Sequence, residues 1–141
     1  MQYRTVGDKY IIQVAQGELV HATLHQFCTE QGIANAWVSA LGAIDFVRCG
    51  YYDRDAREYR FTEYEAVYEV TSYTGNIMRK GTGLFVHAHA TFSDTENTLF
   101  GGHVDEMRVG LVLEVCLTPL PSKIIRTFDD ATGLYLMDLS E

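Results

Sequence analysis

The sequence has few of the residues that cross-link a chain or break it into segments. It contains 2 prolines and 3 cysteines in 141 residues, and it shows no internal repeat, low-complexity tract or Pro/Ser-rich linker. Cys28, Cys49 and Cys116 are odd in number and widely spaced, which favours reduced, buried thiols over a disulfide set or a cysteine-based zinc site. We therefore interpret residues 1–141 as a single domain and assign no role to the cysteines.

Positive charge is also scarce. The chain has 11 Lys and Arg against 19 Asp and Glu, a net charge of −8, which opposes the counterion release that drives non-specific DNA binding. It has neither a run of eighteen apolar residues nor an N-terminal secretory pattern, so we expect a soluble, cytoplasmic protein without a membrane partner. Because a domain of this length buries about two-thirds of its surface without metals or disulfides, any metal should serve function rather than folding.

The patterns that are present predict many strands and one helix. Val20, Leu24 and Phe27 recur at helical spacing, and Gly32 stands where a helix would end. Segments rich in Val, Ile, Tyr, Phe and Thr predict strands at 9–14, 36–41, 44–52, 58–64, 66–73, 84–92, 99–103, 109–118 and 124–128. The sequence therefore predicts an α+β fold, a mainly antiparallel sheet with one principal packing helix at about residues 18–31.

Three histidines are predicted to converge. His87 and His89 lie two residues apart in one strand, so both imidazoles point to the same face. The turn-forming segment 93–98 predicts a hairpin centred near residue 96, which places His103 opposite His89. A bulge at Gly101 and Gly102 would re-aim His103. Three imidazoles with an open fourth position are typical of a catalytic or ligand-binding zinc site, although imidazole also suits Fe, Cu and Ni.

Other readings of the histidines stay open. The three could instead be hydrogen-bonded strand residues or line a subunit interface. His21 and His25 are four residues apart on the predicted helix, but no acidic motif of a zinc protease accompanies them, so we interpret them as solvated or hydrogen-bonded.

Several charged residues are candidates to support the site. Glu69, Asp105 and Glu114 could hold the imidazoles in the tautomer that a metal requires. Arg4 and Arg126 could orient a bound ligand. Glu114 lies between Val112 and Cys116 on a strand face too apolar for free solvation, so we expect it to be semi-buried. We also expect a homo-oligomer, because one helix cannot cover the apolar surface of such a sheet.

Several motifs together resemble one known family. They are Gly17-Glu18, GIANAWVSALGA (32–43), YEVTSYTGNI (68–77), HAHATFSD (87–94), FGGHV (100–104) and Glu114-Val115. They resemble the PPC domain, the plants and prokaryotes conserved domain, of the stand-alone prokaryotic type, over about residues 4–139. The resemblance implies an antiparallel sheet with a packed helix, assembly into trimers, and in some members a metal on the histidines that match His87, His89 and His103.

Members of that family are often labelled DNA-binding proteins. The plant relatives bind A·T-rich minor grooves through a separate AT-hook with an Arg-Gly-Arg-Pro core, and no such core occurs here. The sequence therefore favours a homotrimeric metal-binding protein, most simply with zinc, that takes a small anionic or carbonyl ligand. Its reaction and catalytic residues are not assigned, and hydrolysis and lyase chemistry both stay open.

Two other functions are retained as hypotheses. One is a DNA-binding or transcription-associated regulatory module, for which Arg4, Arg79, Lys80 and Arg108 are the basic candidates. The other is an oligomerisation scaffold in which the histidines are structural.

Overall fold

Strands make up most of the chain in the computed structural model, which describes residues 1–122 and 124–140. Within that part there are nine strands and one helix, which confirms the predicted α+β fold. The elements are β1 (Gln2–Val6), β2 (Lys9–Ala15), α1 (Val20–Glu30), β3 (Ala36–Asp53), β4 (Glu58–Tyr64), β5 (Tyr68–Lys80), β6 (Gly83–Ser93), β7 (Leu99–Pro119), β8 (Ile125–Asp129) and β9 (Leu134–Asp138). None of the helical structure described there is long and apolar enough to cross a membrane.

The strands form one mainly antiparallel sheet in the order β1-β2-β7-β3-β5-β8-β9, with β4 beside β3. Strand β6 pairs with both β5 and β7, and β3 also pairs with both of them. These four strands therefore close into a ring. A short parallel pairing of β8 with β5 brings Arg126 opposite Lys80, which holds the C-terminal β8–β9 hairpin at the end of β5.

Two long strands replace two predicted pairs of short ones. Segments 36–41 and 44–52 are both parts of β3, and segments 99–103 and 109–118 are both parts of β7. The break predicted near Gly42 is a β-bulge, where a φ of 146° and backbone atoms of Val112 and Leu113 leave no room for a Cβ atom. Glycine at this position bends a continuous strand rather than ending it.

The helix packs on the sheet through the face that its spacing predicts. Val20, Leu24 and Phe27 are fully buried, and the helix ends before Gly32, whose φ is 66°. No side chain of its own caps its N-terminus. Instead, the Glu106 carboxylate on β7 accepts hydrogen bonds from the His21 and Ala22 backbone N–H groups at 2.8 and 3.1 Å, which joins the helix to the sheet.

Part of the expected core surface is exposed in the single chain. Leu111 is 64% exposed, and Glu114 is also exposed, so the expectation of a semi-buried Glu114 is wrong.

Candidate metal centre

His87, His89 and His103 converge on one side of the β6–β7 pair. His89 lies directly opposite His103, which confirms the predicted hairpin register. The imidazole centroids are 5.3 Å apart for His87–His89, 5.1 Å for His87–His103 and 5.4 Å for His89–His103. One nitrogen from each ring lies within 4.8 Å of the other two. We call these three residues the histidine triad.

The hairpin turn and a close strand contact place His103. The Asp94 carboxylate accepts hydrogen bonds from the Glu96 and Thr98 backbone N–H groups, each at 2.9 Å. Pairing between β6 and β7 is regular through Gly101 and Gly102, so the bulge predicted there is absent from that pairing. The register shift instead lies between Arg48 and Cys49, where β3 pairs with β7. A side chain on Gly102 would collide with the Gly50 carbonyl oxygen, so glycine allows β3 to pass directly behind His103.

Two of the three imidazoles are held in the neutral state that metal ligands need. Burial and the nearby Arg126 guanidinium together lower the pKa of His87 to about 4. Burial also lowers the pKa of His103 to about 4, with the neighbouring His89 acting in the same direction. Both imidazoles are therefore neutral near pH 7, the state in which a ring nitrogen can bind a divalent ion.

The donor set fits a divalent metal with an open coordination position. Neutral imidazoles suit Zn²⁺ and other first-row ions, and three protein ligands leave a fourth position for water or a ligand. The Nδ1 atom of His103 is buried and has no hydrogen-bond partner among the described residues. Such a nitrogen is unfavourable in an unliganded protein, so its presence supports a site that takes a further group.

Arg126 lies against the triad. Its Nη2 atom is 3.1 Å from Nδ1 of His87 and donates to Oδ1 of Asn76 at 2.9 Å, while Nη1 donates to the Tyr135 carbonyl oxygen at 2.8 Å. A guanidinium only donates, so this contact uses the lone pair on Nδ1 of His87 and leaves the proton of the neutral ring on Nε2. A metal ion on His87 would therefore replace this contact. Arg126 is 7% exposed, and burial lowers its pKa.

A cavity of about 640 Å³ opens over the triad and Arg126. Its walls are mainly aromatic, and the ring of Tyr59 lies closest, with its centroid 4.4 Å from that of His103. Burial raises the pKa of the Tyr59 phenol, so this hydroxyl is protonated near neutral pH. The cavity is large enough to hold a small molecule beside the imidazoles.

The five other site residues predicted from the sequence lie in different parts of the structure. Of the five, Arg126 lines the triad cavity. Asp105 accepts a hydrogen bond from Arg48 at 2.7 Å in a surface ion pair, and Glu69 is exposed on β5 opposite Ser93. Arg4 and Glu114 line a different cavity of about 810 Å³, formed by β1, β2, β3, β5 and β7. The structure therefore does not bring these four residues to the triad cavity.

The two helix histidines differ from each other. His25 is exposed, as interpreted from the sequence. His21 is 8% exposed, so interpreting it as solvated is wrong. The Asp105 backbone accepts a hydrogen bond from the His21 ring, as the alternative interpretation expects, whereas its Nε2 atom has no partner in the part of the chain that the structure covers. Its ring lies beside Tyr73, with a centroid separation of 6.1 Å, and not in the triad.

Sequence reasoning missed Asn76 and Tyr59. The predicted strand stops at residue 73, whereas β5 continues to Lys80 and sets Asn76 opposite His87. A longer strand would have revealed Asn76 as a neighbour of the site. Tyr59 lies on β4, which pairs with β3, and no local pattern in the sequence indicates its contact with His103.

Comparison with known proteins identifies a family and several solved relatives. The family model for the Plants and Prokaryotes Conserved (PCC) domain matches residues 1–121. A plant- and prokaryote-conserved (PPC) protein from Pyrococcus horikoshii is 30% identical, with a TM-score of 0.88 over 99% of this chain and 96% of that one. A metal-containing protein from Archaeoglobus fulgidus is also 30% identical, with a TM-score of 0.87 over 97% of this chain and 98% of that one.

A third structure shows the same fold at lower identity. It is a "putative DNA-binding protein" from Bacteroides thetaiotaomicron, 23% identical, with a TM-score of 0.93 over 97% of this chain and 96% of that one. At this identity the likeness concerns the fold alone. No curated protein matches the sequence.

Proposed function

The chain belongs to the Plants and Prokaryotes Conserved domain family, and from that membership and its site geometry we propose that it is a metal-binding protein. His87, His89 and His103 hold one divalent ion, most simply Zn²⁺, and leave one coordination position open to a small ligand in the adjoining cavity. The observation that carries this proposal is the convergence of three imidazole nitrogens within 4.8 Å of one another beside a cavity of about 640 Å³.

The chemistry of the surroundings supports a ligand-binding role over a purely structural one. A divalent ion at such a site supplies Lewis acidity, which polarises a carbonyl oxygen or acidifies a bound water. A structural zinc site has four protein ligands, whereas the cluster of candidate ligands contains three residues of the described chain. Aromatic rings and Arg126 line the same cavity, where Arg126 can orient a bound molecule. The relative from Archaeoglobus fulgidus is named a metal-containing protein.

Metal analysis of protein purified without an affinity tag tests this proposal. We expect about one divalent ion per chain in the wild type, and loss of most of it in the double variant His87→Ala/His89→Ala. His25→Ala is the matched control, because His25 is an exposed helix residue outside the triad, and it should keep the wild-type metal content. A wild type without stoichiometric metal, or a double variant with unchanged metal, would refute the proposal.

Self-association belongs to the same proposal. The family resemblance implies a homotrimer, and the large apolar side chains Ile11, Leu41 and Leu111 are 47%, 58% and 64% exposed in the single chain. Two of them, Ile11 and Leu41, line the cavity of about 810 Å³ that lies away from the triad. Exposed apolar surface of this kind is typical of an interface between subunits.

DNA association is the alternative function. Its candidate basic residues are poorly suited to a common contact surface. Arg108 donates to Asp45 at 2.7 Å, Lys80 lies over the Tyr135 ring in the triad cavity, and Arg4 lines the other cavity. Together with the net charge of −8, this arrangement favours the metal-site function.

A further inference from the structure

We infer that the triad cavity binds a small organic monocarboxylate, with its carboxylate on Arg126 and its apolar body between the aromatic walls. This inference deepens the proposed function, because it names the class of ligand that would reach the open coordination position. It rests on the charge, the partners and the shape of the residues around Arg126.

Arg126 is a buried cation without an anionic partner. Its guanidinium contacts the Tyr135 carbonyl, the Asn76 side-chain oxygen and the His87 ring, all of which are neutral acceptors. No Asp or Glu oxygen of residues 1–122 and 124–140 lies within ion-pair distance of it. Burying a charge is costly unless an opposite charge compensates it, so an anion entering from the cavity would stabilise this arrangement.

The residues that line the cavity also favour an anion, although the chain as a whole is acidic. Three cationic side chains line it, those of Arg57, Lys80 and Arg126, whereas Glu58 is the acidic residue among the described lining residues. The Glu58 carboxylate is paired with Arg60 at 2.9 Å, which reduces its effect inside the cavity. The cavity therefore attracts anions, although the chain carries a net charge of −8.

The position of Arg126 relative to the triad strengthens the case. Its Nη2 atom lies 3.1 Å from a ring nitrogen of His87, so a divalent ion held by the triad would be close to the guanidinium. Two cationic centres at such short range repel each other strongly in a partly buried site. A ligand carboxylate that contacts Arg126 and faces the triad would relieve this repulsion.

The cavity also selects the kind of anion. Tyr59, Phe85 and Tyr135 line it, and its volume of about 640 Å³ falls within the usual range for small-molecule sites. A planar guanidinium matches the two oxygens of a carboxylate. The aromatic rings favour a ligand with an apolar or aromatic body.

A pair of probes that differ in charge but hardly in shape tests the inference. Benzoate and the neutral benzamide are titrated separately into the metal-loaded wild type in a calorimeter. We expect benzoate to bind at least about tenfold more tightly than benzamide. Inorganic phosphate at the same concentration should not displace benzoate, because it lacks an apolar body. Displacement by phosphate would overturn the choice of a monocarboxylate.

Substitutions of Arg126 test whether this residue causes the preference for benzoate over benzamide. Arg126→Gln should lower benzoate affinity to the level of benzamide, and Arg126→Lys should restore part of it, since lysine keeps the charge but not the two-pronged donor geometry. Arg79→Gln removes the same charge from an exposed position on β5 and should bind benzoate like the wild type. Equal binding of the two probes by the wild type, or undiminished benzoate binding by Arg126→Gln, would overturn the inference.

Two further measurements separate this inference from the metal proposal and from misfolding. The titrations are repeated after chelation. An Arg126-dependent preference for benzoate that persists after chelation would support the inference without the metal, whereas the metal content of the untreated protein alone decides the metal proposal. Should Arg126→Gln not fold, as judged by its melting curve, the wild-type probe pair and Arg126→Lys decide the question, because neither requires loss of the charge.

Discussion

His21 is a buried histidine with an unpaired nitrogen, which is an unfavourable arrangement for an imidazole. It is 8% exposed, its Nε2 atom lacks a partner among the described residues, and burial lowers its pKa to about 4 despite an opposing effect of Asp105. The folded protein therefore keeps this ring neutral at pH values where the unfolded chain protonates it. That difference links folding to pH.

The sign of this linkage gives a prediction for His21. The pKa of His21 is about 4 in the folded protein against an ordinary value of 6.5. The unfolding free energy is therefore highest above pH 6.5 and declines as the pH falls towards 4. Replacing His21 with Leu should make the decline shallower by up to about 1.4 kcal/mol per pH unit. Urea unfolding of metal-free protein in chelator, at several pH values between 4 and 7, measures the difference.

The comparison of variant and wild type is needed because His87 and His103 titrate in the same direction. Their contribution is present in both proteins and cancels in the difference. His25→Leu is the control, since His25 is exposed on the same helix, and it should reproduce the wild-type pH dependence. If His21→Leu and the wild type lose stability in parallel, the pKa of His21 is the same in the folded and unfolded protein, which would contradict the prediction.

At the scale of elements, the turn between β6 and β7 determines how His103 meets His89. The Asp94 carboxylate oxygen accepts from the Glu96 and Thr98 backbone N–H groups at 2.9 Å each, and Asn97 adopts a left-handed conformation with a φ of 62°. Asparagine tolerates this conformation better than most residues. The turn fixes the register that brings the two histidines opposite each other.

Asp94→Ala should therefore affect both the hairpin and the site. We expect it to lower the unfolding free energy by about 1–2 kcal/mol, since two backbone N–H groups lose their acceptor, and to weaken metal binding because His103 is held less firmly. Thermal melting and a zinc titration measure the two effects. Glu96→Ala, in the same turn but with an exposed side chain, should resemble the wild type. Wild-type melting of Asp94→Ala would show that the turn does not depend on its side chain.

The histidine triad could be predicted because it depends on local rules. Strand alternation puts His87 and His89 on one face, and a turn at Asp94 sets the register of His103; both rules act within about twenty residues of sequence. The sequence offers Arg126 as a candidate to orient a ligand, but no local rule places it or Tyr59 at the triad. Arg126 reaches the triad through the parallel pairing of β8 with β5, and Tyr59 through the pairing of β4 with β3. Such contacts depend on which strands become neighbours, which no local pattern specifies.

In the fold, too, local patterns predict some elements correctly, whereas others depend on which strands become neighbours. Spacing correctly predicts the helix face of Val20, Leu24 and Phe27, and composition correctly predicts the strand Glu58–Tyr64. The strands β1 and β9 escape prediction because they are short and lie at the edge of the sheet, where pairing with a neighbour rather than composition makes a strand. The break predicted at Gly42 is wrong because a glycine looks the same in sequence at a bulge and at a turn.

For the whole molecule, the distribution of charge and apolar surface matters more than their totals. Acidic residues give the chain a net charge of −8, yet the triad cavity is lined mainly by cations and aromatic rings. The exposed apolar residues Ile11 and Leu41 lie instead in the other cavity, together with Arg4 and Glu114. A small anion and a second copy of the chain would therefore bind at different places, so the two can be tested independently.

Substitution at Leu41 should separate assembly from metal binding. Leu41 is 58% exposed and lines the cavity away from the triad. If this surface joins the subunits, Leu41→Glu buries a carboxylate in the interface and should convert a trimer, of three times the 15.9 kDa chain mass, largely into monomers. Sedimentation velocity measures the mass. Val67→Glu, at an equally exposed position before β5, should remain trimeric. A monomeric wild type, or a Leu41→Glu protein as large as the wild type, would contradict assembly through this face. Dissociation of Leu41→Glu with undiminished metal content would show that each subunit carries its own complete triad.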